Sequence, residues 1–423
     1  MSLRALYEKY RRRYGAAPPL TGEPFSCDTY HTIVIPAYDE LPEQVDEVMA
    51  SLAAAQRPSR GVEVLVVVNA PAGAPKKVRA RNRRLFDHLR QQRKGWEHER
   101  LRILPILAED LPPEEAGVGL ARRLGMDEAA RRLVAAGDGI ITSLDADTRV
   151  AENYLTALER CFLEHPRYGG VSLYFEHPLE GSFPSALIRG IIQYELHLRY
   201  FVNALRHCGH PHAFHTVGSA FSVRAPVYLK LGGMNRRRGG EDFYFIRKVV
   251  QAFEYGDLTE TCVYPSPRPA EKVPFGTGPV MTRFLEKGER TFLTYRFAAF
   301  RPLARLFAEL PRLYEHPDET GEVFASLPEA LHQVVPPAHF TARIREIRAN
   351  VATYPAFRKR FFRWFDLLKV IRYLNRYHRE TGRSPVKEEA SRLLEAMQHQ
   401  PVPEDDKKLL EIYRLIDRAG GNC

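Results

Sequence analysis

Three short apolar runs constrain this chain more than any other feature. His31 to Glu40 reads HTIVIPAYDE, Gly61 to Gly73 reads GVEVLVVVNAPAG, and Gly139 to Val150 reads GIITSLDADTRV. Apolar runs without polar alternation are strands covered on both faces. After the first, Pro42 opens a segment whose Val45, Val48, Met49 and Leu52 recur at helical spacing. A basic helical insert over about Lys76 to Lys94 follows the second run, then a third strand at Leu101 to Leu107, closed by Leu111-Pro112-Pro113. The stretch from Gly117 to Gly137 places Met126, Ala129, Ala130, Leu133 and Val134 on one helical side. Strands joined through helices pair in parallel, and several such units make a doubly wound sheet. The expected fold class is therefore α/β, Rossmann-like, with a mostly parallel central sheet and helices on both faces.

The third apolar run ends in Asp145-Ala146-Asp147. Side chains two apart in extended chain point the same way, so both carboxylates leave the strand on one face. Like charges so close raise each other's pKa unless a cation lies between them. Mn²⁺ and Mg²⁺ favour carboxylate oxygen, and Mg²⁺ is commonly shared with substrate phosphates. Open α/β sheets bind ligands at the carboxyl ends of their strands. The pair therefore reads as a metal–diphosphate site, with two solvated loop acids as the simpler alternative.

Beyond this point helices are expected at Asn153 to Leu163 and Ser185 to Leu205, and strands at Gly169 to Phe175, Gly218 to Val223 and Thr261 to Tyr264. A turn-rich GGMNRRRGG loop leads into Glu241-Asp242, which opens a helix over Phe243 to Phe253. Acids in a first turn favour the helix dipole. A proline-rich loop, PSPRPAEKVPFGTG, comes next, and from about Val280 onward the pattern is helical throughout. Near the start, Leu3, Leu6, Tyr7, Tyr10 and Tyr14 share one helical face, with Gly15 as its stop, which reads as a docking helix.

Charge and cysteines narrow the function classes. An excess of 62 basic over 52 acidic residues leaves a net charge of +10, which suits an anionic partner without choosing one. Five scattered cysteines, without CxxC or zinc spacing, are expected to be reduced thiols of a cytoplasmic protein. No apolar run reaches membrane-span length and the N-terminus lacks an apolar signal core, so neither a spanning segment nor export is expected.

Pro36-Ala37-Tyr38-Asp39-Glu40, Asn69, Ala121-Arg122-Arg123-Leu124-Gly125, Asp145-Ala146-Asp147 and Glu241-Asp242 occur in that order. Together they resemble the family-2 inverting glycosyltransferases of the GT-A fold, over roughly residues 30 to 265. The resemblance implies a GT-A type catalytic domain at 30–282 that binds a nucleotide-diphosphate sugar, between an N-terminal helix and linker (1–29) and a C-terminal helical region (283–423). It implies that Pro36, Ala37, Tyr38 and Glu40 line the nucleoside pocket, with Asn69 against the base. By the same likeness Arg122 lies near the nucleotide, Asp145 contacts ribose or metal, Asp147 holds Mn²⁺ or Mg²⁺, and Asp242 is the general base.

The chemistry is coherent on its own terms. Inverting transfer needs one carboxylate to take the acceptor proton and a positive group to stabilise the departing diphosphate. Asn69-Ala70 departs from the acidic residue usual there in that family, which leaves the nucleobase undetermined, because an amide both donates and accepts. Arg123 replaces the family's usual Asn. The acceptor is an unidentified hydroxyl, and lipid-linked or anionic compounds both suit it.

Lesser candidates are the loop arginines Arg236, Arg237 and Arg238 beside Glu241, as acceptor or pyrophosphate contacts, and Arg268 with Lys272 as a lid over the diphosphate. His207, His210, His212 and His215 are loosely spaced and read as loop histidines rather than ligands. Phe357, Phe361, Trp364, Phe365, Leu368 and Ile371 form one stripe on a helix over Ala356 to Tyr377, flanked by Arg358, Lys359, Arg360 and Arg363. Packing is the expected role of that stripe; peripheral contact with the inner face of a membrane is its alternative, and no nucleic-acid recognition motif accompanies it. Two rival functions are a haloacid-dehalogenase-like phosphatase with Asp145 as nucleophile and a non-catalytic glycosyltransferase-like scaffold. The first conflicts with the three strands that precede the Asp pair, the second with the retention of Asp145, Asp147 and Asp242.

Overall fold

In the computed structural model, which describes residues 1–15, 18–181, 183–236, 239–269 and 276–422, strand and helix alternate as the apolar runs predict. The elements that matter here are α1 (Leu3–Tyr14), β1 (Thr29–Ala37), α2 (Pro42–Ala54), β2 (Gly61–Pro71), α3 (Lys76–Trp96), β3 (Leu101–Leu111), α4 (Val118–Leu133), β4 (Ile140–Ser143), β5 (Thr148–Val150), α5 (Tyr154–Glu164), β6 (Tyr168–Phe175), α6 (Ser185–His207), β7 (Phe221–Arg224), α7 (Ala225–Lys230), α8 (Glu241–Ala252) and β8 (Glu254–Pro265).

These strands form one eight-stranded sheet in the order β3-β2-β1-β4-β7-β6-β8-β5. β1 lies between β2 and β4, parallel to both, and β3 extends the parallel set beyond β2. β7 runs antiparallel to both β4 and β6, while β6 and β8 pair in parallel. All nine residues of β1 and all four of β4 are buried, so the sheet centre is covered on both faces. The fold is a mixed α/β sheet, mostly parallel, accompanied by a C-terminal helical region.

β8 begins at Glu254, seven residues before the expected Thr261, and two other strands of the sheet also differ from expectation. β5 directly follows the Asp pair and runs antiparallel to β8 at the sheet edge; three residues are too few to show a period. β7 begins three residues later than expected, because Gly218 to Ala220 form the turn that enters it.

α4 approaches the sheet closely because of one glycine. A Cβ on Gly125 would stand 2.4 Å from Val34 Cγ1 and 2.9 Å from Val67 Cγ2, against β1 and β2. α1 docks as expected, with Leu3, Leu6, Tyr7 and Tyr10 buried. Tyr10 donates to Asp127 Oδ1 of α4 at 2.7 Å, and Tyr228 donates to the same oxygen at 2.5 Å.

The chain divides into two compact units, neither continuous in sequence: residues 1–187, 216–286 and 416–423 make one, residues 188–215 and 287–415 the other. The second is helical around an aromatic core that includes Phe307, Phe357, Phe361 and Phe365. Its aromatic stripe lies on two helices rather than one, Tyr354–Trp364 and Leu367–Thr381. Asp366 causes the break: its side chain accepts from Lys369 N and caps the second helix. Phe357, Phe361 and Phe365 are fully buried, whereas Arg358, Lys359, Arg360 and Arg363 are exposed. His210 is also buried, edge-on to Phe307 and Phe362, and burial pushes its pKa down to about 3.

Cys161 is disulfide-bonded, which corrects the expectation of reduced thiols; Cys27, Cys208 and Cys262 are free. Spacing along the chain does not reveal which cysteines meet in the fold. Among the described residues no helix is long and apolar enough to cross a membrane.

The close approach of α4 gives a first test. Gly125→Val should lower stability by about 2 kcal/mol or more through overpacking, read as a shifted urea midpoint. An unchanged midpoint would show that the helix does not rest on β1 and β2 as described.

Candidate active site

The carboxyl ends of β1 and β4 lie side by side, and β4 continues past Ser143 with Leu144 N donating to Val34 O at 3.1 Å. Asp145 and Asp147 therefore leave the sheet next to the Pro36–Glu40 segment. Asp145 Oδ1 accepts from Arg122 Nη2 at 2.6 Å. Arg122 sits in the second turn of α4 and is only 2 % exposed. Its other terminal nitrogen, Nη1, donates to Glu241 Oε1 in the first turn of α8. One buried guanidinium thus ties the Asp pair to the Glu241-Asp242 pair, across almost a hundred residues of sequence.

Asp242 stands beside this tie. Its Oδ1 accepts from Phe243 N at 2.7 Å, as an acid in a first helical turn can. Burial pushes its pKa up to about 7; Glu241 and Asp145 push the same way, and the Arg122 guanidinium opposes them. Gly218 makes room for both groups. A Cβ there would stand 3.0 Å from Arg122 Nη2 and 3.1 Å from Asp242 Oδ2. Nothing in the sequence marks Gly218 apart from other loop glycines.

Asp147 has a different partner. Its Oδ2 accepts from Arg268 Nε at 2.7 Å, in the coil after β8. Arg268 Nη2 lies 2.6 Å from Glu40 Oε2, and Nη1 donates to Gln44 Oε1 at 2.7 Å. Gln44 Oε1 also accepts from Leu41 N at 3.3 Å at the start of α2. Sequence reasoning passed over Gln44, which lies in a helix first turn with no motif around it. Burial raises the pKa of Asp147, Arg268 opposes this, and Asp145 and Glu40 add to the rise.

The remaining candidates are distributed as follows. Pro36 and Ala37 are buried at the end of β1, and Tyr38 is half-buried just beyond. Asn69 is 3 % exposed, and its Nδ2 donates to Ala37 O at 2.8 Å, while Asn82 Nδ2 donates to Asn69 O at 2.8 Å. The amide nitrogen of Asn69 thus holds the ends of β1 and β2 together, with α3 behind them. Arg236 pairs with Glu115 at 3.0 Å; Arg237, Arg238 and Lys272 lie outside the described residues. Arg123 donates to Met234 O at 2.9 Å and to Tyr10 Oη at 3.1 Å, a structural use of the position.

Could these acids hold a divalent ion? Among the described residues no group of three or more His, Cys, Asp or Glu side chains could do so by itself. An ion that arrives with a diphosphate needs only one or two carboxylates, the other positions being filled by phosphate oxygens and water. Asp147, with Glu40 and Asp145 near it, supplies hard oxygen donors. The donor set fits such an ion once Arg268 yields Asp147.

No protein-family model matches the chain, and no curated protein matches it. Among solved structures it is similar to S. aureus TarS 1-349, over 84% of this chain and 92% of that one, at 12% identity and a TM-score of 0.39. The same fragment in complex with UDP-GlcNAc aligns over the same shares at 13% identity and a TM-score of 0.41.

The Arg122 tie is directly testable. Breaking a buried ion pair from one side leaves an uncompensated charge, so Arg122→Met should cost about 3–5 kcal/mol. Pairing it with Glu241→Leu should cost less than the two single changes summed, in a denaturant double-mutant cycle. Strict additivity would mean that the two side chains do not interact.

Proposed function

We propose that the chain is a glycosyltransferase that moves a sugar from a nucleotide-diphosphate sugar to an acceptor hydroxyl, with inversion at the anomeric carbon. One observation carries the proposal: Arg122 joins the Asp145–Asp147 segment to the Glu241-Asp242 helix start at the carboxyl end of β4. The chemistry needs these two halves together, a carboxylate that takes a proton and a polar cradle for a leaving diphosphate.

Asp242 is the proton acceptor. A carboxyl pushed up to about 7 takes a hydroxyl proton far more readily than one near its ordinary value, and is still half ionised near neutrality. Its Oδ1 is fixed by Phe243 N, and Gly218 keeps side-chain bulk away from Oδ2. Glu241 is a positioning residue: through Arg122 it holds the first turn of α8 against Asp145.

Asp145, Asp147, Glu40 and Arg268 form the diphosphate side. When bound there, a Mn²⁺ or Mg²⁺ ion would neutralise charge on the departing diphosphate, with Asp147 as its carboxylate ligand. The segment Pro36–Tyr38 borders the same strand ends and suits the nucleoside. The resemblance of these motifs to the family-2 glycosyltransferases supports the same assignment.

Asp242→Asn keeps size and polarity but cannot take a proton. It should lower kcat by about 10²- to 10⁴-fold while leaving donor affinity nearly unchanged, in an assay of UDP-, GDP-, ADP- and dTDP-sugar consumption. An active Asp242→Asn enzyme would remove the base from the scheme. Because the base must be ionised, kcat/KM should rise with pH, level off above about 7, and fall tenfold per pH unit well below it. A profile flat from pH 5 to 8, which spans that value, would contradict the role.

A further inference from the structure

Arg268 uses its whole guanidinium on three acceptors drawn from two distant parts of the chain. Nε donates to Asp147 Oδ2 at 2.7 Å, Nη1 donates to Gln44 Oε1 at 2.7 Å, and Nη2 meets Glu40 Oε2 at 2.6 Å. The Glu40 side chain is 8 % exposed and that of Asp147 is 22 % exposed, so neither carboxylate is well hydrated. For Asp147 the guanidinium supplies the ion pair, at 2.7 Å.

Among the described residues Arg122 pairs with Asp145 and Glu241, and Arg268 with Asp147 and Glu40. A bare diphosphate approaching Asp147 would meet its carboxylate, with those of Asp145 and Glu40 close by. A bare divalent cation would have to evict Arg268 and leave that guanidinium without an anion. Brought in together, the two solve both difficulties: the ion takes Asp147, and the phosphate oxygens accept from the freed arginine. A planar guanidinium suits that exchange, because its paired N–H groups fit a phosphate as well as a carboxylate.

We propose that Arg268 is the resident counter-ion of Asp147, that it competes with free divalent cations there, and that the site admits the metal and the diphosphate as one complex. The inference rests on the donor reading above and deepens it: it makes Arg268 a diphosphate ligand in the loaded state and an obstacle to metal in the empty one. Metal and diphosphate then bind with positive coupling, and by linkage each strengthens the other equally.

The test uses the full chain, Mn²⁺ and inorganic pyrophosphate, with free Mn²⁺ followed by electron paramagnetic resonance and pyrophosphate by titration calorimetry. Wild-type protein should bind Mn²⁺ alone weakly, and pyrophosphate should tighten that binding by at least about tenfold. Arg268→Ala should bind Mn²⁺ alone more tightly than wild type and the Mn²⁺–pyrophosphate complex more weakly, each by about tenfold. Arg268→Lys, which keeps the charge but loses the fork, should move both values the same way by less, and serves if the alanine variant does not fold. The inference is overturned if Arg268→Ala binds free Mn²⁺ no better than wild type, or if pyrophosphate leaves wild-type Mn²⁺ binding unchanged. Failure of the transferase reading shows separately, as nucleotide sugars left unconsumed by wild type while the Mn²⁺ measurements come out as stated.

Discussion

A buried guanidinium needs anions beside it, and Arg122 meets that need with two carboxylates nearly a hundred residues apart in sequence. Asp145 comes from the end of β4 and Glu241 from the first turn of α8. Removing such charges from water is costly, and their mutual attraction repays it only when geometry and hydrogen bonding are good. The ion triad is therefore better understood as a device that specifies one arrangement than as a source of stability. It brings Asp242 to the edge where Asp145 and Asp147 emerge. Gly125 and Gly218 serve the same end by letting α4 lie close to the sheet and by leaving room beside Arg122.

The second arginine works differently. Arg122 is 2 % exposed and locked between partners, whereas the side chain of Arg268 is 24 % exposed at the rim. A partly exposed arginine can change partners at lower cost than a fully buried one. The site thus has a fixed guanidinium that positions and an accessible one that can exchange a carboxylate for a phosphate. The chain as a whole carries a net charge of +10, which favours the approach of anionic partners.

Much of this was legible in the sequence, for identifiable reasons. β1, β2 and β4 declare themselves because strands covered on both faces are largely apolar, and α2 and α8 because one face of each is. The Asp145–Asp147 and Glu241-Asp242 pairs stand out as carboxylates at element boundaries, where solvation alone does not require them. What could not be read depends on contacts between segments distant in sequence. β5 is too short to show a period. The antiparallel insertion of β7 between β4 and β6 leaves no trace in a local pattern. Gln44 and Gly218 acquire meaning only once Arg268 and Arg122 are in place. Asn69 was assigned to a base by resemblance, yet its amide nitrogen is engaged with Ala37 O. The single helix expected over the aromatic stripe is divided because Asp366 offers the backbone a cap, and helical periodicity runs smoothly across such a break.

In the proposed function the Asp145–Asp147 pair and the distant Asp242 serve one site. Hydrogen–deuterium exchange, with and without UDP, GDP or ADP in the presence of Mn²⁺, tests it most directly. The account predicts that the nucleotide which binds slows exchange together in peptides covering Arg122, Asp145 to Thr148 and Glu241 to Tyr244. A bound nucleotide that protects the Asp pair while the start of α8 exchanges as before would separate the two halves and contradict it.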